Sequence, residues 1–255
     1  MTQSVVNILV VNSKGGCGKT TVATNLAAAY ANGGKSVALF DCDRQASAWQ
    51  WAGARDLDLP RIELYHRPDP AKIDPGIMAR YDTCIFDSGP GISTQPMLRT
   101  EFEALLKLCD VIVVPMLSST WDIQAGKNFV TQLMTHRVWR NAPKPIAVVG
   151  NRISTNLAGQ QQLQHFLRCL DVPAVSEFRE SPIYAEAGDR GKGIVELKSN
   201  RAARKEYKAW RTLICWIDEK SHQANSERLP GIPLAASHSK SRTEKGIGDA
   251  ATELS

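Results

Sequence analysis

Cysteine and histidine are scarce in this sequence, and neither is arranged as a metal site. Its six cysteines are spread along the chain without a C-x-x-C pair, and no histidine stands near them at zinc-ligand spacing. A zinc centre is therefore not expected. Unpaired, scattered cysteines are typical of a protein that works in a reducing cytoplasm.

Long apolar runs are also missing. No stretch approaches the roughly 20 apolar residues that a membrane-spanning helix needs. The segment Met1 to Val11 has no basic start, no longer apolar stretch and no small-residue cleavage site, so it does not resemble a signal peptide. We expect a cytoplasmic protein with no membrane partner.

Short apolar runs alternate with helical stretches along most of the chain. A length of 255 residues with 43% apolar and 22% charged residues suits one globular α/β domain. This alternation predicts an α/β fold with three layers, in which helices cover both faces of a mostly parallel twisted sheet. The predicted strands are Val5 to Asn12, Ser36 to Asp41, Ile62 to His66, Thr83 to Asp87, Val111 to Pro115, Ile146 to Asn151 and Val175 to Phe178. The predicted helices are Thr20 to Asn32, Ala46 to Arg55, 96 to 108, 122 to 137, Gly159 to Leu170 and Asn200 to Ile217.

The composition changes near the C-terminus. From about Ser221 onward Ser, Gly, Pro and mixed charges dominate, and the apolar residues lose their periodicity. We predict one domain over residues 1–220 and a disordered tail over residues 221–255.

A glycine-rich loop joins the first strand to the first helix. It contains Gly15, Gly16 and Gly18 between two lysines, Lys14 and Lys19. In this context glycines let backbone N–H groups point at an anion, and the helix N-terminus adds positive potential. The loop therefore predicts a phosphate site in which Lys19 reaches the β- and γ-phosphates of a nucleotide. The hydroxyl of Thr20 would bind Mg²⁺.

Polar residues also end three other strands, at Asp41, Asp87 and Asn151. Ligands of open parallel sheets bind at the carboxyl ends of the strands. We therefore expect these side chains and the glycine-rich loop to share one site. Strand alternation also sends Asp41 and Asp43 towards the same side.

The sequence Lys14-Gly-Gly-Cys-Gly-Lys-Thr-Thr resembles the deviant Walker A motif of the ParA/MinD family of ATPases, with Ser13 where a standard loop has glycine. The resemblance extends over residues 4 to about 215. It implies a P-loop fold and a homodimer that forms with ATP, in which Lys14 reaches the partner's nucleotide. The loop residues Gly15, Gly16, Cys17, Gly18, Lys19, Thr20 and Thr21 would bind the phosphates. Cys17 alternatively only packs against the loop.

The same resemblance implies roles for the carboxylates. Asp41-Cys42-Asp43-Arg44-Gln45 is similar to the D-x-D-P-Q segment of the family, with Arg44 in place of proline. Asp41 and Asp87 would support the water shell of Mg²⁺, and Asp43 would position the attacking water. The alternative for Asp43 is a cap on the next helix.

Asn151 follows the strand Ile146 to Gly150 and resembles the adenine-contacting position of the family. Its amide can both donate to and accept from an adenine edge, which would favour ATP over GTP. It could instead be an ordinary turn asparagine. The segment from Phe178 to Glu196 resembles the C-terminal signature of the family, which neighbours the nucleotide and the dimer interface.

The helix near residues 201–217 has an apolar and a basic side. Ala203, Tyr207, Trp210, Ile214 and Ile217 form an apolar seam at helical spacing. The other side carries basic residues that could neutralise DNA phosphates without reading bases, or could be a solvated surface with no special role. These candidate DNA-binding residues are Arg201, Arg204, Lys205, Lys208 and Arg211.

The resemblance is closest to short ParA proteins without an N-terminal helix-turn-helix domain. It implies a nucleoid-associated ATPase that partitions plasmid or chromosomal DNA with a ParB-like centromere-binding protein that stimulates hydrolysis. Three alternatives remain open. They are a MinD-like positioner whose C-terminal helix attaches to membrane, a redox ATPase like the nitrogenase iron protein, and a relative that positions protein cargo on the nucleoid.

Overall fold

The computed structural model describes residues 5–92, 95, 98–153, 168 and 172–228, and a parallel sheet forms their centre. The strands are β1 Val6–Val10, β2 Val37–Cys42, β3 Glu63–His66, β4 Thr83–Ser88, β5 Val111–Met116, β6 Ile146–Ile153 and β7 Ala174–Arg179. They lie in the spatial order β3-β2-β4-β1-β5-β6-β7, and each neighbouring pair is parallel. All carboxyl ends of these strands therefore lie at one edge of the sheet.

Helices follow most of the strands. They are α1 Lys19–Asn32, α2 Ser47–Gly53, α3 Pro75–Met78, α4 Arg99–Leu108, α5 Thr120–Thr135, α6 Arg137–Asn141, α7 Ile183–Asp189 and α8 Arg201–Arg228. Two short 3₁₀ turns cover Pro70–Lys72 and Ile194–Glu196. In the part of the chain described, no helix combines the length and apolar character needed to cross a bilayer.

Most strands contribute to two hydrophobic cores, because successive side chains point to opposite faces of a sheet. On β1, Ile8 and Val10 belong to one core with α1 and α8, whereas Leu9 belongs to the other with α4 and α5. The central strands β2, β4 and β5 are buried throughout their length, as expected for strands covered on both faces. The predicted three-layer α/β fold is confirmed.

The sequence misplaced the end of the C-terminal helix. We predicted that it stops at Ile217 and that a disordered tail begins at 221, but α8 continues to Arg228. Ser221 is fully buried and its hydroxyl donates to the Asp218 carbonyl, so the helix still packs on the body there. Residues 229–255 lie outside the described residues. The predicted helix Gly159 to Leu170 also does, apart from Arg168.

The buried side of α8 differs in detail from the predicted seam. Ala203, Trp210 and Ile217 are buried as expected, but Tyr207 and Ile214 lie at its flanks. The fully buried row also contains Leu213, Ser221 and the charged residue Glu206. Because a buried carboxylate needs strong partners, Glu206 is expected to be paired within the fold.

Candidate functional site

The glycine-rich loop lies between β1 and α1 at the carboxyl edge of the sheet. Gly16 and Gly18 adopt left-handed φ angles of 75° and 95°, which residues with a Cβ rarely reach. At Gly18 an added Cβ would also stand 1.9 Å from Nδ2 of Asn151. That amide donates to the Cys17 carbonyl at 2.8 Å. Glycine is therefore required at position 18 by both conformation and space.

The two lysines of the loop are held within the chain. Nζ of Lys19, almost fully buried, donates to the Lys14 carbonyl at 3.0 Å. Nζ of Lys14 contacts the carboxylate of Asp122, which also hydrogen-bonds Ser119 at the start of α5. Asp122 is 9% exposed. Sequence reasoning missed Asp122, although it follows β5 at the same edge as the predicted carboxylates.

Asp41 and Asp87 meet beside the loop. They are direct partners in the register of β2 and β4, and Asp87 is also paired with Val10 at the end of β1. The segment after β4 contacts the loop itself, since Gly91 N donates to the Ser13 carbonyl at 2.7 Å. Residues distant in sequence therefore converge on the glycine-rich loop, as predicted.

These two aspartates are satisfied to different degrees. Both oxygens of Asp41 accept backbone N–H bonds, from Asp43 at 3.1 Å and Trp49 at 2.9 Å. Neither oxygen of the fully buried Asp87 has hydrogen-bond geometry with a described residue, although the Thr20 hydroxyl lies close enough to lower its pKa. Desolvation dominates and raises the pKa of Asp87 to about 7. Desolvation also raises the pKa of Asp41.

The unsatisfied carboxylate of Asp87 is the feature that fits a cation. No group of three His, Cys, Asp or Glu side chains in the described ranges forms a ready-made metal cluster. Mg²⁺ commonly keeps several waters and takes only one or two protein carboxylates beside substrate phosphates. Asp87, the Thr20 hydroxyl and, through water, Asp41 match that arrangement.

Asp43 is half-buried just beyond β2. Its Oδ1 accepts from Gln45 N at 3.0 Å, within a turn that precedes α2, so it does not cap that helix. An added Cβ at Gly89 would lie 3.4 Å from the same oxygen. Asp43 therefore lies against the segment that follows Asp87, where a water near the phosphates could be positioned.

Asn151 lies at the end of β6, 3% exposed. Beside its bond to the loop, it lines a cavity of about 380 Å³ with Thr21 and residues after β7. Arg179 and Tyr184 also line this cavity. The role of Asn151 as an adenine contact remains a prediction, because one of its amide hydrogens is already used by the Cys17 carbonyl.

The candidate DNA-binding residues share one exposed surface. Arg201, Arg204, Lys205, Lys208 and Arg211 are all exposed on α8. We call these five residues the basic face. Asn200 caps this helix by accepting N–H bonds from Ala202 at 2.8 Å and Ala203 at 3.2 Å. The basic face therefore begins at a fixed helix start.

The structure bears on two of the alternatives. Of the apolar residues that a membrane-attached C-terminal helix could use, Trp210, Leu213 and Ile217 are buried against the body, whereas Ile214 and Trp216 are half-buried. Cys84 and Cys109, the candidates for a shared redox cluster, are fully buried, and their thiols donate to backbone carbonyls. The two cysteines are therefore not available at a surface where a shared cluster could form.

A parallel α/β sheet with a glycine-rich loop between its central strand and the following helix defines a P-loop nucleotide-binding protein. More narrowly, the chain belongs to the CobQ/CobB/MinD/ParA nucleotide binding domain family, whose family model matches residues 8–194. The predicted family is confirmed.

Known relatives cover most of the chain. It is 28% identical over 195 residues to the "Maintenance of carboxysome distribution protein A" of Halothiobacillus neapolitanus, covering 74% of this chain and 87% of that protein. The solved structure of a Cyanothece McdA(D38A)–ATP complex is similar with a TM-score of 0.66 and 15% identity, over 82% and 96% of the two chains. A putative plasmid partition protein of Borrelia burgdorferi, bound to AMPPNP, has a TM-score of 0.62 and 16% identity, over 85% and 100%. At these identities the solved structures establish the fold.

Proposed function

We propose that this protein is a magnesium-dependent ATPase of the ParA/MinD type that binds DNA nonspecifically and partitions plasmid or chromosomal DNA. The observation that carries the ATPase is the fully buried, unsatisfied carboxylate of Asp87 beside the P-loop and Asp41. Burying an unpaired carboxylate is costly. A cation that arrives with the phosphates would offset that cost.

The residues divide the chemistry among them. Gly15, Gly16, Cys17, Gly18 and Thr21 offer backbone N–H groups to the phosphates, and Lys19 contacts the β- and γ-phosphate oxygens. Thr20, Asp41 and Asp87 would hold Mg²⁺, which supplies positive charge against those oxygens. Asp43 orients the attacking water, and the backbone of Gly89 and Gly91 lets the segment after Asp87 respond to the γ-phosphate.

Lys14 acts in a second copy of the chain under this proposal. In the single chain its ammonium group is paired with Asp122. The ion pair must break before Lys14 can reach a partner's nucleotide, so dimer formation competes with an internal contact. The exposed part of Lys14, 41% of its side chain, makes that exchange physically accessible.

DNA binding is assigned to the basic face. Its five cations lie on an exposed helix face, where Lys and Arg suit phosphate contacts that carry no sequence information. ATP would favour the DNA-bound dimer, and hydrolysis, stimulated by a ParB-like partner, would release it. The protein would then cycle on and off the nucleoid in the cytoplasm.

A second candidate function is the positioning of protein cargo on the nucleoid. The Halothiobacillus relative, a carboxysome distribution protein by name, favours it. The ATPase cycle and the basic face would be the same, and only the partner would differ. Loss of the gene would then disperse a protein assembly while plasmid inheritance stays normal, whereas the partition function predicts increased plasmid or chromosome loss.

The test is a titration of nonspecific duplex DNA with the wild-type protein in Mg-ATP, Mg-ADP and no nucleotide, at two salt concentrations. We expect tight binding only with Mg-ATP, weakening steeply as salt rises. Calorimetry of Mg-ATP binding without DNA separates the two parts of the proposal. Nucleotide binding without any ATP-dependent DNA binding would leave the ATPase but overturn the DNA-based function.

A further inference from the structure

Two side chains that line the cavity beside the P-loop are hydrogen-bonded to a residue that does not line it. Arg179 at the end of β7 and Tyr184 in α7 both line the cavity of about 380 Å³ that Asn151 and Thr21 also line. Both side chains are bonded to one residue of α8, Glu206. The C-terminal helix therefore supports this cavity, although only other segments line it.

Glu206 is saturated by these contacts. One carboxylate oxygen accepts from Arg179 Nε at 2.7 Å and pairs with its Nη2 at 2.7 Å. The other accepts from the Tyr184 hydroxyl at 3.1 Å and from the Arg179 backbone N at 3.3 Å. Nε1 of Trp210 donates in turn to the Tyr184 hydroxyl at 3.2 Å. The carboxylate, 3% exposed, thus fixes both the guanidinium plane and the phenol.

The position of the network favours a role beyond anchoring the helix. Glu206 binds the Nε and Nη2 edge of the Arg179 guanidinium, while 53% of the Arg179 side chain remains exposed. A guanidinium held at one edge leaves its flat face free to stack on an aromatic base. Since the cavity is lined by Thr21, the last of the proposed phosphate-binding residues, the nucleoside end of a bound nucleotide would reach it.

We infer that Glu206 is a positioning residue for the nucleoside end of the nucleotide, which makes α8 part of the nucleotide site. This inference rests on the proposed function, because it assumes that the triphosphate occupies the P-loop. Its ligand class is a purine nucleoside triphosphate. Glu206 acts through Arg179 and Tyr184 and does not itself contact the base.

The experiment compares two probes that share the phosphate chain. Binding of Mg-AMPPNP and of magnesium tripolyphosphate, which has no nucleoside, is measured by calorimetry for the wild type and for Glu206→Gln. We expect Glu206→Gln to weaken AMPPNP binding about tenfold, as for a lost set of charge-assisted hydrogen bonds. Tripolyphosphate binding should stay unchanged.

Asp218→Asn is the matched control, because Asp218 lies on the same helix and accepts from the Tyr30 hydroxyl at 2.9 Å, away from the cavity. It should alter thermal stability but neither affinity. Arg179→Lys keeps the positive charge but loses the planar guanidinium. Because it changes an exposed side chain, it should fold even if Glu206→Gln does not, and it should show the same selective loss of AMPPNP binding.

The outcomes separate the two hypotheses. Unchanged AMPPNP affinity in a folded Glu206→Gln, or equal weakening of both probes, overturns the role of Glu206 while the phosphate site stands. If Glu206→Gln does not fold, unchanged AMPPNP affinity in Arg179→Lys overturns it. A wild-type protein that binds neither probe refutes the nucleotide site itself and this inference with it. Selective loss of AMPPNP binding supports both.

Discussion

Two buried carboxylates, one at the P-loop edge and one in the C-terminal helix, differ in their hydrogen-bond partners. Asp87 is fully buried, and neither of its oxygens is hydrogen-bonded among the described residues. Glu206, at 3% exposure, accepts bonds from Arg179 and Tyr184. A polar group left unsatisfied in the interior implies a ligand that is still to come, whereas a saturated one implies a structural or positioning role.

The largest expected effect is the loss of nucleotide affinity when Lys19 is replaced. If the unsatisfied edge is the phosphate site, Lys19→Ala should reduce Mg-ATP affinity at least about a hundredfold, since it removes a buried cation that faces the phosphates. Calorimetry with Mg-AMPPNP measures the loss. Lys35→Ala, on the far side of α1 from the loop, serves as the control. Retained affinity in Lys19→Ala would mean that the edge does not bind phosphates.

Asp43 sharpens the comparison between binding and turnover at the same edge. Asp43→Ala should leave Mg-ATP affinity within about twofold and lower kcat about a hundredfold, because orienting the attacking water matters only during hydrolysis. Steady-state phosphate release, measured beside AMPPNP binding, separates the two quantities. Equal losses of affinity in Asp43→Ala and Lys19→Ala would contradict this division of roles.

The C-terminal helix is tested through DNA binding by the basic face on the outer side of α8. Replacing Arg204, Lys205 and Lys208 with alanine should weaken ATP-dependent DNA binding about tenfold or more. The slope of log affinity against log salt should fall by about 3, since three fewer phosphates are neutralised. Fluorescence anisotropy at several salt concentrations measures both. An unchanged slope would exclude the basic face, and Glu219→Gln on the same helix controls for general effects.

The smallest expected effect concerns the stability of the ligand-free protein. The pKa of Asp87 is raised from 3.8 to about 7 in the fold, so the native state binds a proton more tightly than the unfolded state. Stability should therefore fall as pH rises from about 4 to 7 and then level off.

Asp87→Asn removes that dependence. Its Tm should equal that of the wild type near pH 4 and exceed it by roughly 5 to 10 °C above pH 7. Thermal unfolding followed by circular dichroism at both pH values measures the difference. A Tm difference that does not change with pH would indicate that Asp87 does not titrate in this range.

Sequence patterns predicted the P-loop edge better than the C-terminal helix for a physical reason. Asp41, Asp87 and Asn151 each end a short apolar run, and parallel topology carries all such ends to one edge. The contacts of Glu206 depend on side chains from β7 and α7, and nothing in the local pattern of α8 specifies them. Both Glu206 and Tyr207 lie at helical spacing from Ala203 and Trp210, so spacing alone could not show which of the two side chains is buried. The observed buried row continues through Leu213.

The ion pair of Lys14 with Asp122 was missed for a similar reason. The resemblance directed attention to a role for Lys14 in a second chain, and the partner within its own chain is 108 positions away in sequence. Short elements such as α3 and α6 were missed because four or five residues give too little periodicity to detect.

The interlock of Gly18 with Asn151 has a consequence for how this protein can change over generations. The amide of Asn151 fills the space that any larger residue at position 18 would need. A shorter residue at 151 would vacate that space, but it would no longer reach the Cys17 carbonyl. Because Gly18 also adopts a φ of 95°, a shorter residue at 151 would not by itself make another residue acceptable at 18, so glycine and asparagine should be retained together.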